Sequence, residues 1–230
     1  MLKNKSFIMM SLAIILLVFI PNKMVFANQD KVILIDPGHG GIDGGAVSKS
    51  GVVEKNINLD ISLLLKQKLE AKGYRVTMTR ETDVGLYKEG QKVKQKKRED
   101  LENRVKMKKA TNCDAFVSIH QNIFPEAKYK GTQVWYCSNG TKSKLLADTI
   151  QSNVKEKIDK DNNRVSKPAG TQFRILRDNI DAASVIVECG FLSNEEECRL
   201  LTTKEYQDKI AGVLADSIEI YFNSESKAQN

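Results

Sequence analysis

Short runs of β-branched and apolar residues alternate along this chain with longer stretches of helical period, and this alternation limits the folds open to it more than any other feature. Residues 32–35 (Val-Ile-Leu-Ile) are halted at Asp36-Pro37-Gly38, because proline offers no ladder donor and glycine tolerates positive φ. Residues 55–72 then repeat Ile57, Ile61, Leu64, Leu65 and Leu69 at helical spacing, and Gly73 supplies the stop. Residues 74–79 alternate Val76 and Met78 with polar neighbours, as a half-buried strand does. Strand, helix and strand over this length make a βαβ unit, so the two strands are expected to run parallel with a right-handed crossover.

The pattern continues. A charged surface loop is expected over 82–95, a helix over 97–111 with Leu101 and Val105 on its apolar line, and a short buried strand over 115–119 that ends at His120. Further strands are expected at 131–137, around Phe173, Ile175 and Leu176, and at 184–188, where strong β-branching argues for a central position in the sheet. Residues 143–158 read as a helix and 159–170 as a loop closed by Pro168-Ala169-Gly170. Ser193 with Glu196, and Thr202 with Glu205, match capping boxes that announce a short helix and then a long one to Phe222, with a frayed tail beyond. The expected architecture is a single α/β domain: a twisted, mostly parallel central sheet flanked by helices in three layers.

The first residues stand apart. Lys3 and Lys5 precede an unbroken apolar run over 7–20, followed by Pro21 and Val25-Phe26-Ala27. This is the order of an export signal, and the run is shorter than the ~20 residues that cross a bilayer comfortably. Residues 1–27 are therefore read as a signal peptide or, if uncleaved, an anchor, with 28–223 as the folded domain and 224–230 as a tail. The working part is expected outside the cytoplasm. Of the formal charge of +7, three units come from Lys3, Lys5 and Lys23. Ten Lys or Arg against four acids fall between Lys88 and Lys109, so the remainder of the mature chain is slightly acidic. That distribution argues against nucleic acid, which wants a broad basic face with interleaved aromatics, and 88–109 is read as a solvated helix surface. Four cysteines without a CxxC pair or framework spacing are read as separate buried thiols.

The chain has only two histidines, His39 and His120, each expected just after a strand, where open α/β sheets form their binding crevice. Glu54 opens the first helix, and the fourteen residues between it and His39 are enough to bring its carboxylate to the same edge. Two neutral imidazoles and one carboxylate make a three-ligand zinc set with a fourth position open, and such a site lowers the pKa of its water toward ~7. Glu188, at the end of an apolar strand, is costly there without a role or a partner and is the candidate general base. Cys189 beside it points to the opposite face. The Gly-rich loop also invites a phosphate-binding reading, but Asp43 stands where GxGxxG needs its last glycine and no Gly-Lys-Ser/Thr follows. The glycines are read instead as letting the backbone turn tightly to present His39, with Asp36 orienting its imidazole.

Three pieces, DPGHGG with Glu54 downstream, SIHQN (residues 118–122) and VECGFLSN (187–194), resemble the zinc-dependent N-acetylmuramoyl-L-alanine amidases of bacterial autolysins. The resemblance implies one catalytic Zn2+ held by His39, Glu54 and His120, and Glu188 as catalytic acid/base. It implies hydrolysis of the amide between N-acetylmuramic acid and L-alanine in peptidoglycan. A single exported domain without wall-binding repeats is most similar to the spore-cortex and germination-specific members, which strip stem peptides so that muramic lactam can form. A general autolysin of the same chemistry, or another wall zinc hydrolase (a peptidase or deacetylase), is the alternative. Peptidoglycan is the implied partner, together with an accessory protein for activation or localisation, and the place is the cell wall or the forespore intermembrane space. Gln121 stands where the family more often has a small residue and is expected to affect how the substrate sits. Residues 123–130 are too few for the inhibitory helical insertion of larger relatives.

Overall fold

Strand β1 (Val32–Pro37) lies inside a six-stranded sheet, with β2 (Arg75–Met78) on one side and β3 (Ala115–Asn122) on the other, both parallel to it. Strand β6 (Ala183–Phe191) adds in parallel to β3; β4 (Gln133–Tyr136) runs antiparallel to β6, and the short β5 (Lys167–Pro168) closes that edge in parallel to β4. This computed structural model describes residues 30–177 and 181–228, so the expected export segment lies outside the described residues.

Alternate side chains of a strand face opposite ways, and the two faces build two cores. Ile33, Ile35, Val117, Ile119, Val185 and Val187 pack against α1 (Glu54–Ala71), α3 (Thr141–Lys157) and α5 (Lys204–Ala228). Helix α1 meets them with Ile57, Ile61, Leu65 and Leu69, the stripe its sequence period demands. On the other face Leu34, Phe116 and Ile186 pack beneath Leu101 and Val105 of α2 (Val93–Thr111), with Ile175 and Leu176 beside them. The result is three layers. A short α4 (Glu195–Leu201) joins β6 to α5. No helix among the described residues is long and apolar enough to cross a membrane.

The structure departs from expectation in several places. Helix α2 starts at Val93 rather than 97, where the Gln95 side-chain oxygen accepts from the Lys92 amide at 3.2 Å. Its buried line is Asp100, Arg104 and Lys108, so only its outer face is the solvated surface expected of this segment. The segment around Ile175 is a 3₁₀ turn (Arg174–Leu176) instead of a strand, held by Lys108 Nζ donating to the Ile175 carbonyl at 2.9 Å. Strands β3 and β6 run past His120 and Glu188, which therefore sit within strands, just before the register irregularity between His120 and Asn122. Both caps fall one residue later than expected. Asn194 accepts from the Glu197 amide at 3.0 Å while Ser193 takes the Phe124 amide, and Thr203 accepts from the Tyr206 amide at 3.4 Å. Helix α5 continues past Phe222 to Ala228, because no Gly or Pro follows Phe222 and the Ser224 and Ser226 hydroxyls bond back to the Tyr221 and Phe222 carbonyls. All four cysteines are buried and none forms a disulfide.

Candidate metal centre

The centre is assembled where β1 ends. The Gly38 amide still donates to the Ile119 carbonyl at 3.0 Å, which presses the turn against β3. A Cβ on Gly38 would lie 2.3 Å from the His120 ring, so only glycine admits this approach. His39 then takes φ 62°, a left-handed conformation that costs a non-glycine residue ~1–2 kcal/mol, and its imidazole turns back over the sheet edge.

Glu54, at the first position of α1 and 3% exposed, lies between the two imidazoles. Its Oε2 is 3.3 Å from His39 Nε2 and accepts from the Ala46 amide at 2.8 Å. Its Oε1 is 3.0 Å from His120 Nδ1 and accepts from the Gln121 amide at 3.0 Å and from Asn58 Nδ2 at 3.2 Å. The two rings meet edge to face with centroids 4.9 Å apart. Ligand-type atoms of His39, Glu54 and His120 all lie within 4.8 Å of one another, a group that could hold a metal ion. The three residues expected to converge do converge.

Electrostatics follow from this crowding. Burial works to raise the Glu54 carboxyl, but the two imidazoles outweigh it and hold the group well below the usual carboxylate range. Burial works to lower His39, yet hydrogen bonds to Asp43 and Glu54 bring it up to about 9.

Two supporting roles differ from expectation. Asp43, not Asp36, orients His39: its Oδ2 lies 2.9 Å from His39 Nδ1, while its Oδ1 accepts from Lys97 Nζ of α2 at 2.7 Å. Gly40 and Asp43 exchange backbone hydrogen bonds, so the tight turn folds the carboxylate back onto the ring four residues before it. The sequence signal was present, as an acid closing the Gly-Gly turn after His39. Asp36 instead accepts from Thr79 Oγ1 at 2.6 Å, from Ser118 Oγ at 2.7 Å and from Arg104. Gln121 faces away from the site edge, opposite to its neighbour His120, and its Nε2 donates to Asn58 Oδ1 at 3.1 Å, so it braces Glu54 from below and does not line a substrate surface.

Glu188 pairs in register with His120 on the parallel neighbour and with Gln133 on the antiparallel one, so all three project from one face. Cys189 faces the larger core, as expected. No Lys or Arg among the described residues forms an ion pair with Glu188. Burial first, and then the charge of Glu54, push its carboxyl up to about 8.

With this geometry in hand, the comparison with known sequences is decisive: the family model described as N-acetylmuramoyl-L-alanine amidase matches residues 33–220. The chain belongs to that family. The amidase is 33% identical over 234 residues to the germination-specific N-acetylmuramoyl-L-alanine amidase of Bacillus subtilis, covering 96% of this chain and 97% of that one. Among solved structures it is similar to the CwlD amidase of Clostridioides difficile, determined in complex with the GerS lipoprotein, at 43% identity and TM-score 0.82 over 85% of this chain and 100% of that one. It also resembles an N-acetylmuramoyl-L-alanine amidase of Clostridium difficile 630, at 29% identity and TM-score 0.74 over 86% and 99%. In this amidase, residues 123–130 contain no helix. Val47, Lys49, Ile123 and Phe124 instead wall a cleft of about 370 Å³.

Proposed function

We propose that this amidase holds one zinc ion through His39, Glu54 and His120, uses Glu188 as its acid/base, and acts outside the cytoplasm on the peptidoglycan of the spore cortex. The observation that carries the metal assignment is the convergence of two imidazoles and a carboxylate with no thiolate among them. Ligands ~2.0–2.2 Å from a tetrahedral zinc stand ~3.3 Å apart, and the imidazole–carboxylate separations of 3.0 and 3.3 Å are of that size. The donor set therefore fits the ion.

Bound by these residues, zinc would supply a water whose pKa is lowered toward ~7 and a counter-charge for the developing negative oxygen of the attacked carbonyl. Glu188 takes the proton of the attacking water as the new carbon–oxygen bond forms. When the carbon–nitrogen bond breaks, it returns that proton to the departing L-alanine amine. A carboxyl near neutrality suits a group that must do both. Asp43, bonded to Nδ1, fixes the His39 ring so that Nε2 faces the site. The products are the free lactyl carboxylate of the muramic acid and a stem peptide with a new amino terminus.

The cortex role is supported by the similarity to a germination-specific enzyme along nearly its whole length. The neighbouring structure with a lipoprotein supports an accessory protein as partner here too. Residues 1–27, with their export-signal order, support a location beyond the membrane. Digestion of purified peptidoglycan and cortex, with and without added zinc, followed by mass analysis of the products, tests the reading. The expected result is zinc-dependent release of peptides beginning with L-alanine, and cortex lacking muramic lactam when the gene is removed. Free acetate or internal peptide ends would show a deacetylase or a peptidase, and normal cortex in the deletion strain would point to a general autolysin.

A further inference from the structure

The loop that carries His39 presents three successive backbone carbonyls, of Pro37, Gly38 and His39, to two buried guanidinium groups. Arg104 donates to Pro37 O at 2.9 Å and to His39 O. Arg80 donates through Nε to Pro37 O at 2.9 Å, and through Nη2 both to Gly38 O at 3.0 Å and to Lys55 O at 2.9 Å. Its Nη1 donates to Thr82 O at 3.1 Å.

The two arginines are not equivalent. Arg104 is matched in charge by Asp36 and Asp100. Arg80 is as deeply buried, at 3% exposure, yet forms no ion pair among the described residues, and each of its hydrogen-bond partners is a neutral carbonyl. Burial and the nearby Arg104 charge pull its pKa down to about 10, which leaves it protonated at neutral pH. An unpaired buried cation is expensive, and a fold needing only a brace here could use a neutral donor. What a guanidinium offers is a planar fork that holds several acceptors at fixed spacing. The acceptors it holds are adjacent to two ligands: Gly38 precedes His39 and Lys55 follows Glu54. The turn is packed closely against it, since a Cβ on Gly40, which has φ 133°, would lie 2.4 Å from the Val84 carbonyl and 2.9 Å from Arg80 Cδ.

We propose that Arg80 is a positioning residue of the metal centre: by bridging Gly38 O and Lys55 O it sets the spacing of His39 and Glu54 before the ion arrives. The inference rests on the reading of those two residues as zinc ligands. The bridge joins the β1 turn to the start of α1 across a loop of fourteen residues, where Asn58 Nδ2 of α1 also donates to Gly38 O at 3.1 Å but only Arg80 reaches both the Gly38 and the Lys55 carbonyl.

The test compares the purified protein with Arg80→Met, which lacks all donors, Arg80→Lys, which keeps the charge but not the fork, and Ile61→Val, which removes one buried methyl from α1, the helix that carries Glu54. Zinc Kd is read by competition with a chromogenic chelator, ligand geometry by the visible spectrum of the cobalt-substituted protein, and folding by thermal melts of the metal-free forms. Both Arg80 variants are expected to weaken zinc binding ~10–100-fold, as loss of outer-shell partners does, and to change the cobalt spectrum. Ile61→Val is expected to lower the melting temperature and leave Kd and spectrum unchanged. Parental Kd and spectrum in folded Arg80→Lys overturn the proposal, as does a loss of affinity in Ile61→Val that tracks its melting temperature. Should Arg80→Met fail to fold, Arg80→Lys alone decides the question. Failure of the underlying reading looks different: His39→Ala and Glu54→Ala would bind zinc as the parent does.

Discussion

His120 and Glu188 occupy paired positions on adjacent parallel strands and project from the same face of the sheet. A sheet spacing of ~4.8 Å thus separates the backbone of a proposed metal ligand from that of the proposed acid/base, and no loop intervenes to blur it. Glu188→Gln keeps the shape and removes the proton acceptor. Turnover is expected to fall ~10²–10⁴-fold while zinc content, measured by elemental analysis, stays at the parental level. Undiminished hydrolysis by this variant would remove Glu188 from the mechanism.

Asp43 supports His39 from behind. Asp43→Asn loses the charge-assisted bond to Nδ1 and the pairing with Lys97, and zinc affinity is expected to drop ~10–100-fold. Lys97→Met, at the half-exposed end of the same chain of contacts, should change it far less, because exposed pairs are worth ~0–1 kcal/mol. Equal effects from the two substitutions would show that the lysine, and not the bond to the ring, carries the support.

Gly38 is needed for space, not for its φ. In Gly38→Ala the new methyl meets the His120 ring at 2.3 Å, and either the ring or the turn must move. Metal binding should be lost or severely weakened while the far-ultraviolet dichroism stays native. Parental zinc affinity in this variant would mean that the turn lies farther from β3 in solution.

The buried Asp36–Arg104 pair predicts an acid limb of stability. Burial works to raise Asp36, but Arg104, Thr79 and Ser118 together hold its carboxyl below the ordinary value of 3.8. A depressed carboxylate contributes stability that is complete above its unfolded pKa and is lost as pH falls through the folded value. Asp36→Asn should therefore cost ~3–5 kcal/mol at pH 7, with Arg104 left short of one counter-charge, and the penalty should shrink toward pH 3. Urea unfolding at the two pH values measures it; a penalty independent of pH would assign the effect to packing.

Much of this was readable because apolar period and turn chemistry are local. The stripe Ile57, Ile61, Leu65, Leu69 defined α1 and so the place of Glu54 at its first turn, where an acid also suits the helix dipole. Two histidines in a chain otherwise without them could be placed near one sheet edge by their strands, although β3 turned out to run past His120. Helix α2 resisted the same approach. Its buried line is charged, and Asp100, Arg104 and Lys108 only make sense once Asp36 and the Ile175 carbonyl, distant in sequence, are known to lie beneath them. The partner of His39, expected to be Asp36, was misread for a related reason. It depends on the left-handed φ at His39 and on the Gly40–Asp43 turn, which swing the ring away from one acid and toward the other. The caps were misplaced by a single residue because Ser193-Asn194 and Thr202-Thr203 each offer two adjacent side chains able to cap.

The four proposed working residues are spread over β1's turn, α1, β3 and β6, and the last of them enters the fold only with a strand that starts at Ala183. No early fragment of the chain contains the set. A partly synthesised molecule can carry the three proposed ligands but not the proposed acid/base, so it has no means to cut the wall until β6 has joined the sheet. For a hydrolase whose substrate holds the cell together, long sequence separation within the site acts as a timing device: chemistry begins when folding has finished.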